Sequence, residues 1–349
     1  MTIRYRQHLF LCAVILSSTA AACGSDNLAE PSSSSTTLAS ASPSTTPVAD
    51  TTAQATGFPL VVENCGTTFT LDAAPQRVVI LEAAAPALLD AAGALDRVVA
   101  RVGDIPTEYY SDQVNAQIAG IEKLVSATTS TGGVEVSVET IIDLEPDLVI
   151  GYETETVTRA ALGNVDIPLY VMPPFCDAPP SPSFESIVAE VRFYGKMFGT
   201  EAIADASADA LQVRIDSVIN NPVAKGQTAA ALFVSSDGSA LYAYSSLGMV
   251  HPQMVALGMT NVFAALPERV PEISIEEIIN ANPENLILLY TDTEVSADEI
   301  IALVTDLPGA ETIKAVSNGR VFPMLFNFAE PPSPLVVDGL DLIAEQFAR

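Results

Sequence analysis

The chain has no tryptophan and only two histidines, one of which, His8, lies in a segment that reads as a leader. With His251 alone remaining, a histidine-rich zinc or manganese centre is excluded on count. Ser-His-Asp chemistry would have to use His251, and no G-x-S-x-G turn accompanies it. A glycine-rich phosphate loop and a metal-spaced cluster are missing as well, so no enzymatic activity is expected. Basic residues are scarce: Lys and Arg total 15 against 43 Asp and Glu, for a net charge of −28. Such a surface repels nucleic acid and anionic lipid, and it disfavours highly anionic ligands unless basic residues converge on the site. The 349 residues, 49% of them hydrophobic, suffice for two domains with real cores.

The apolar run at 9–16 (LFLCAVIL) is too short to span a bilayer. Preceded by Arg4 and Arg6 and followed by small residues, it reads as the centre of a signal peptide over residues 1–22. That segment ends in three alanines before Cys23, similar to a bacterial lipobox, although the usual Leu three places before the Cys is Ala20. Cys23 is therefore expected to carry the lipid and hold the protein on the extracytoplasmic face of the cell membrane. The alternative is plain cleavage after Ala22. Residues 23–57 are Ser-, Thr-, Ala- and Pro-rich, a tether that cannot bury enough apolar surface to order itself. Export leaves Cys65 and Cys176 in an oxidising compartment, where two remaining thiols are expected to pair.

Residues 59–71 read as a hairpin around Cys65-Gly66. Strand patterns at 77–81, 98–103, 147–152 and 169–172 then alternate with helical ones, which argues for a parallel sheet covered by helices. A second series places strands at 229–235, 241–245, 285–291 and 320–326. Between the two series runs one long helical pattern, 184–220, interrupted by Gly195 and Gly199. The segment 136–150 (VSVETIIDLEPDLVI) aligns without gaps on 273–287 (ISIEEIINANPENLI). Each copy reads as a Ser N-cap, a short amphipathic helix, a proline stop and a buried strand. One copy per half implies two pseudo-symmetric lobes.

These pieces, with PQRVVIL at 75–81, AGALDRVV at 92–99, EPDLVI at 145–150 and LGMTNV at 257–262, resemble a known family. It is the helical-backbone class of ABC substrate-binding proteins that carry ferric siderophores, haem and cobalamin. The resemblance runs from about residue 70 to the C-terminus. It implies an α/β fold of two Rossmann-like lobes, 58–183 and 221–349, joined by one long interlobe helix over 184–220, with the ligand cleft between lobes that move little. It also implies a monomer that captures a ferric siderophore-type chelate and delivers it to an ABC importer, with no cofactor of its own. Cobalamin, haem or a deazaflavin-cofactor precursor are alternative ligands on the same scaffold. A lipid-anchored enzyme on this fold is the rival class, against which the missing catalytic motifs stand. In the family, one surface acid on each lobe docks onto Arg residues of the permease dimer. Residue by residue these are Glu139 and Glu276, which could otherwise serve only the first turn of their helices.

In doubly wound sheets ligands gather beyond the C-terminal strand ends. That rule selects loops carrying Asp104, Tyr109, Tyr110, Tyr152, Phe175, Tyr244 and Phe328. The resemblance adds Arg269, just before the second repeat, where relatives often place a ligand-facing residue; together they are the expected ligand-binding set. The same loops include 173–180, 236–238, 290–292 and 327–334. Their acids, including Glu82, Glu153, Asp237, Asp292 and Glu330, outnumber the basic candidates Arg101, Arg159 and Arg269. A neutral or cationic hydroxamate chelate fits that inventory better than an anionic one.

Overall fold

In the computed structural model the chain is described for residues 57–125, 127–128, 134–235, 238, 240–291 and 293–348, all inside one unit, Thr52–Arg349. The signal peptide, Cys23 and the tether up to residue 56 lie outside the described residues, as do Ser236, Asp237 and Asp292. Among the described residues no helix is long and apolar enough to cross a membrane.

The expected hairpin is β1 (Leu60–Asn64) and β2 (Thr67–Leu71), joined by Cys65-Gly66 with φ of 48° and 76°. Two left-handed residues in a two-residue turn match the twist of the flanking strands. The first lobe continues through β3 (Val78–Ile80), α1 (Ala85–Ala91), β4 (Val98–Val102), α2 (Asp112–Ala119) and β5 (Glu122–Leu124). A small ribbon, β6 (Ala127–Thr128) and β7 (Val134–Glu135), precedes α3 (Val138–Ile142), β8 (Leu148–Gly151), α4 (Arg159–Gly163) and β9 (Leu169–Val171). The sheet order β5-β4-β3-β8-β9 is parallel throughout, with the chain reversing direction of travel at the β3/β8 boundary. Such a switch point leaves a crevice beyond the strand ends.

Residues 184–220, expected as one long interlobe helix, form two: α5 (Phe184–Phe198) and α6 (Glu201–Asn220). Gly199 ends α5 in the left-handed conformation, φ 66°. The chain then folds back, so that Arg192 on α5 pairs with Asp205 and Asp209 on α6. A Cβ on Gly195 would stand 2.4 Å from that of Ala204, so only glycine permits this approach. The connector is a helical hairpin.

The second lobe runs β10 (Thr228–Val234), β11 (Leu241–Ala243), α7 (Val250–Ala256), β12 (Thr260–Asn261) and β13 (Glu272–Ile273). Then come α8 (Ile275–Ala281), β14 (Asn285–Tyr290), α9 (Ala297–Thr305), α10 (Lys314–Ser317), β15 (Val321–Leu325) and α11 (Pro334–Phe347). Its sheet, β13-β11-β10-β14-β15 with β12 also on β10, is mixed: β10, β14 and β15 are parallel, while β11 is antiparallel to both β10 and β13. The cause is the short link between β10 and β11, which cannot carry the crossover that parallel neighbours need.

The two copies of the repeat occupy equivalent places. Ser137 begins α3 and Ser274 begins α8, where Ser274 and Glu277 form a reciprocal capping box. Before each proline the backbone is left-handed, φ 47° at Glu145 and 46° at Asn282. The acid after each proline then binds the segment leading into the neighbouring strand. Asp147 accepts from the N–H groups of Gln76 and Arg77 at 2.6 and 2.9 Å, and Glu284 accepts from that of Thr228 at 2.9 Å.

One hydrophobic core runs through both lobes. Ile80, Leu148 and Ile150 from the first sheet and Ala231, Ile287 and Leu289 from the second meet Leu88, Val191, Leu211, Met254 and Leu340 of the intervening helices. The outer faces of the sheets hold separate cores around Ile141 and Ile278. A large apolar interface of this kind resists relative motion of the lobes.

Candidate functional site

Beyond the strand ends the lobes touch along a seam and part into a cavity. The seam is built from Ala84, Ala87, Tyr109, Leu325 and Leu335. Asn327 donates its backbone N–H to the Tyr109 hydroxyl at 3.0 Å, and the Phe328 ring stands edge-on to Tyr109 at 5.0 Å. Glu82, following β3, is half-buried here and accepts weak bonds from Ala84 and Asn327. Burial pushes its carboxyl up to about 7.

The cavity, of about 240 Å³, is lined by residues of both lobes. One wall is proline: Pro173 and Pro174 after β9, then Pro179, Pro180 and Pro182 in the strap leading to α5. Leu88 and Met172 form its apolar floor, and Ser186, Ala189 and Glu190 present the first turns of α5. The second lobe contributes Leu247, Met249, Arg269, Glu330 and Pro332. Prolines arrive with φ already fixed, so little ordering entropy remains to be lost when a ligand docks against them. A cavity of this size takes part of a bulky ligand. Leu247, 48% exposed, and Phe175, 39% exposed and next to the lining Pro174, offer apolar surface for the remainder.

Three charged groups line the cavity. Arg269 donates from Nη1 to Glu330 Oε2 at 3.1 Å, and the N–H of Met249 reaches Glu330 Oε1 at 2.5 Å. Burial nonetheless pushes the Glu330 carboxyl up to about 7, against the pull of Arg269 and Met249. Glu190 accepts from the Tyr170 hydroxyl at 2.7 Å, and burial pushes it up to about 7 as well. Arg101 and Arg159 do not converge here: Arg101 bonds the Gly103 carbonyl and Arg159 bonds Asn64. Arg269 is the single cation among the lining residues.

Of the expected ligand set, Arg269 lines the cavity. Tyr109, 6% exposed, and Tyr244, 2% exposed, are packing residues, and burial raises both phenols. Tyr110 donates to the Ala83 carbonyl at 2.9 Å, and Phe328 belongs to the seam. Asp104 is exposed and pairs with Lys123. Tyr152 and Phe175 pack against each other, ring centres 5.1 Å apart. For Tyr109, Tyr110 and Phe328 the physical reason is common: at strand ends where two lobes meet, a large ring closes the seam before it can face a ligand. Glu190 escaped the loop-based reading because it sits on a helix. Its signal is a carboxylate inside the apolar stripe Ile187, Val191, Tyr194 and Phe198.

Cys65 and Cys176 form a disulfide, Cα atoms 5.2 Å apart, which ties the hairpin turn to the end of the 173–175 segment that walls the cavity. Asn64 reinforces the tie through paired bonds with Val171 at 2.7 and 2.8 Å. Glu139 and Glu276 both lie exposed in the first turns of α3 and α8, away from the lining residues. The Ser137 hydroxyl holds the Glu139 carboxyl below its ordinary range.

Two lobes on a shared core with an apolar cavity opening between them define a solute-binding protein. Residues 78–325 match the periplasmic binding protein family, and the chain belongs to it. Members of that family bind small molecules and deliver them to ABC permeases; they are not enzymes. The chain is 38% identical to a solved protein from Saccharomonospora viridis described as an ABC-type Fe3+-hydroxamate transport system, covering 84% of this chain and 100% of that one at a TM-score of 0.77. It is 23% identical over 305 residues to a cobalamin-binding protein of Halobacterium salinarum, 84% of this chain and 75% of the relative. The periplasmic vitamin B12 binding protein of Vibrio cholerae shares the fold, with 17% identity and a TM-score of 0.60 over 78% of this chain and 97% of that one.

Proposed function

We propose that this protein captures a ferric hydroxamate chelate of neutral or positive charge and hands it to an ABC importer. The observation that carries this reading is the lining of the cavity: apolar, proline-walled, with two carboxylates and a single guanidinium. An anionic catecholate chelate would meet Glu190 and Glu330 and would have to strip Arg269 from its partner. The likeness to the Saccharomonospora viridis protein supports the same class of ligand. Glu139 and Glu276 dock the loaded protein on the permease, and lipid on Cys23 keeps it at the membrane.

Calorimetry against ferric hydroxamates, ferric catecholates, haem and cobalamin tests the ligand. A ferric hydroxamate is expected to bind one per chain, more tightly than the others. The absence of any binder tighter than the millimolar range would sink the reading. Cobalamin is the second reading, favoured by the Halobacterium salinarum relative, and tight binding of cobalamin alone would select it.

A further inference from the structure

Glu190 is a carboxylate on an otherwise apolar helical face. It stands on α5 between Ile187, Val191 and Tyr194, all of them buried, and it faces the cavity. One of its oxygens, Oε1, accepts from Tyr170 at 2.7 Å. The other accepts no hydrogen bond from any described residue. The surrounding walls have little with which to satisfy it. Pro173, Pro174, Pro179, Pro180 and Pro182 have no N–H, and Leu88 and Met172 present apolar side chains. Ser186 spends its hydroxyl proton on the Ser183 carbonyl at 2.6 Å. The Tyr194 hydroxyl, one turn along the helix, is buried without a partner and does not reach it. Arg269 is matched to Glu330, whose two oxygens are both taken. The cavity lining thus holds two carboxyl groups to one cation, and one Glu190 oxygen is left open to whatever enters.

We infer that Glu190 is a specificity-determining residue, receiving a protonated amine carried by the chelate. An ammonium supplies both things the site lacks, a hydrogen-bond donor and a positive charge. Bonds between ionised partners in an apolar enclosure are about twice as strong as neutral ones. A neutral amide at the same point brings no charge to pair with Glu190, and a carboxylate there adds a like charge that Glu190 meets only by keeping its proton. The inference rests on the hydroxamate reading and narrows it to amine-bearing chelates.

The test uses two probes with the same metal centre: a ferric trihydroxamate ending in a free primary amine, and the same chelate with that amine acetylated. Calorimetry on the wild-type chain at neutral pH is expected to show at least about tenfold tighter binding of the amine form, about 1.4 kcal/mol. Glu190→Gln, nearly isosteric, should reduce that ratio below about threefold. Tyr170→Phe, which frees the second carboxylate oxygen and keeps the charge, should retain the preference, so the inference stays testable should the glutamine variant misfold. Equal affinities in the wild type overturn the inference while the hydroxamate reading stands, as does a preference that survives Glu190→Gln or vanishes in Tyr170→Phe. Binding of neither chelate rejects the hydroxamate reading itself, and the inference falls with it.

Discussion

Arg269 and Glu330 meet at 3.1 Å at the edge of the cavity, one 45% exposed and the other 2%. The asymmetry decides what each can lose. Arg269→Ala leaves Glu330 enclosed with only the Met249 N–H, so the variant should unfold more easily, by about 1–2 kcal/mol, a modest figure because solvent already screens the arginine. Adding Glu330→Gln should recover part of that loss. Urea denaturation of the two single variants and the double variant measures it, and additive losses would show that the pair is not coupled.

Stability should fall as pH rises from mildly acidic to neutral. Glu82, Glu190 and Glu330 are pushed from 4.5 to about 7 by burial, so the folded chain keeps protons that the unfolded chain releases. Between those values each unit of pH favours the unfolded state. Glu277, Glu284 and Glu299, held below their ordinary range by capping or backbone bonds, act oppositely as pH drops below about 4.5. His251, lowered by burial, opposes Glu82, Glu190 and Glu330 within the interval as one group against three. The denaturation midpoint is therefore expected to be higher at pH 5.5 than at pH 7.5, and Glu82→Gln should flatten the slope. A midpoint that rises over this interval contradicts the assignment.

Removing the disulfide should loosen the cavity wall as well as the fold. Its sequence separation of 111 corresponds to at most about 5 kcal/mol in the chain-entropy model. Cys65→Ser with Cys176→Ser is expected to lower the melting temperature and to weaken ligand binding, since Pro173 and Pro174 lose their tether. Unchanged affinity would show that the wall holds its shape without the bridge.

Glu139→Arg with Glu276→Arg should leave ligand binding in solution within about 0.5 kcal/mol of wild type, as for other exposed substitutions. Uptake, or ATPase stimulation of the reconstituted transporter, should fall sharply, with partial loss in each single variant. Loss of ligand binding with the transporter still stimulated would refute docking.

Local grammar carried much of this architecture. The repeat at 136–150 and 273–287 can be read as helix, proline stop and strand, and even its left-handed residues, Glu145 and Asn282, precede the prolines in both copies. Gly195 and Gly199 marked the break in the connector, but only packing decides that α6 folds back on α5. The cavity was legible as loops, 173–180 and 327–334, and mostly illegible as side chains. Whether Tyr109 faces a ligand or closes the seam depends on Asn327 and Phe328, more than two hundred residues away. No local pattern encodes that pairing. Glu190 was visible in principle, as a charge on an apolar helical stripe.

The most direct measurement is native mass spectrometry of the protein recovered from its own host grown under iron limitation. One ferric hydroxamate per chain, released on denaturation and identified by its iron isotope pattern, is the expected result. A chain occupied by cobalamin or haem, with no iron chelate bound, would contradict the account.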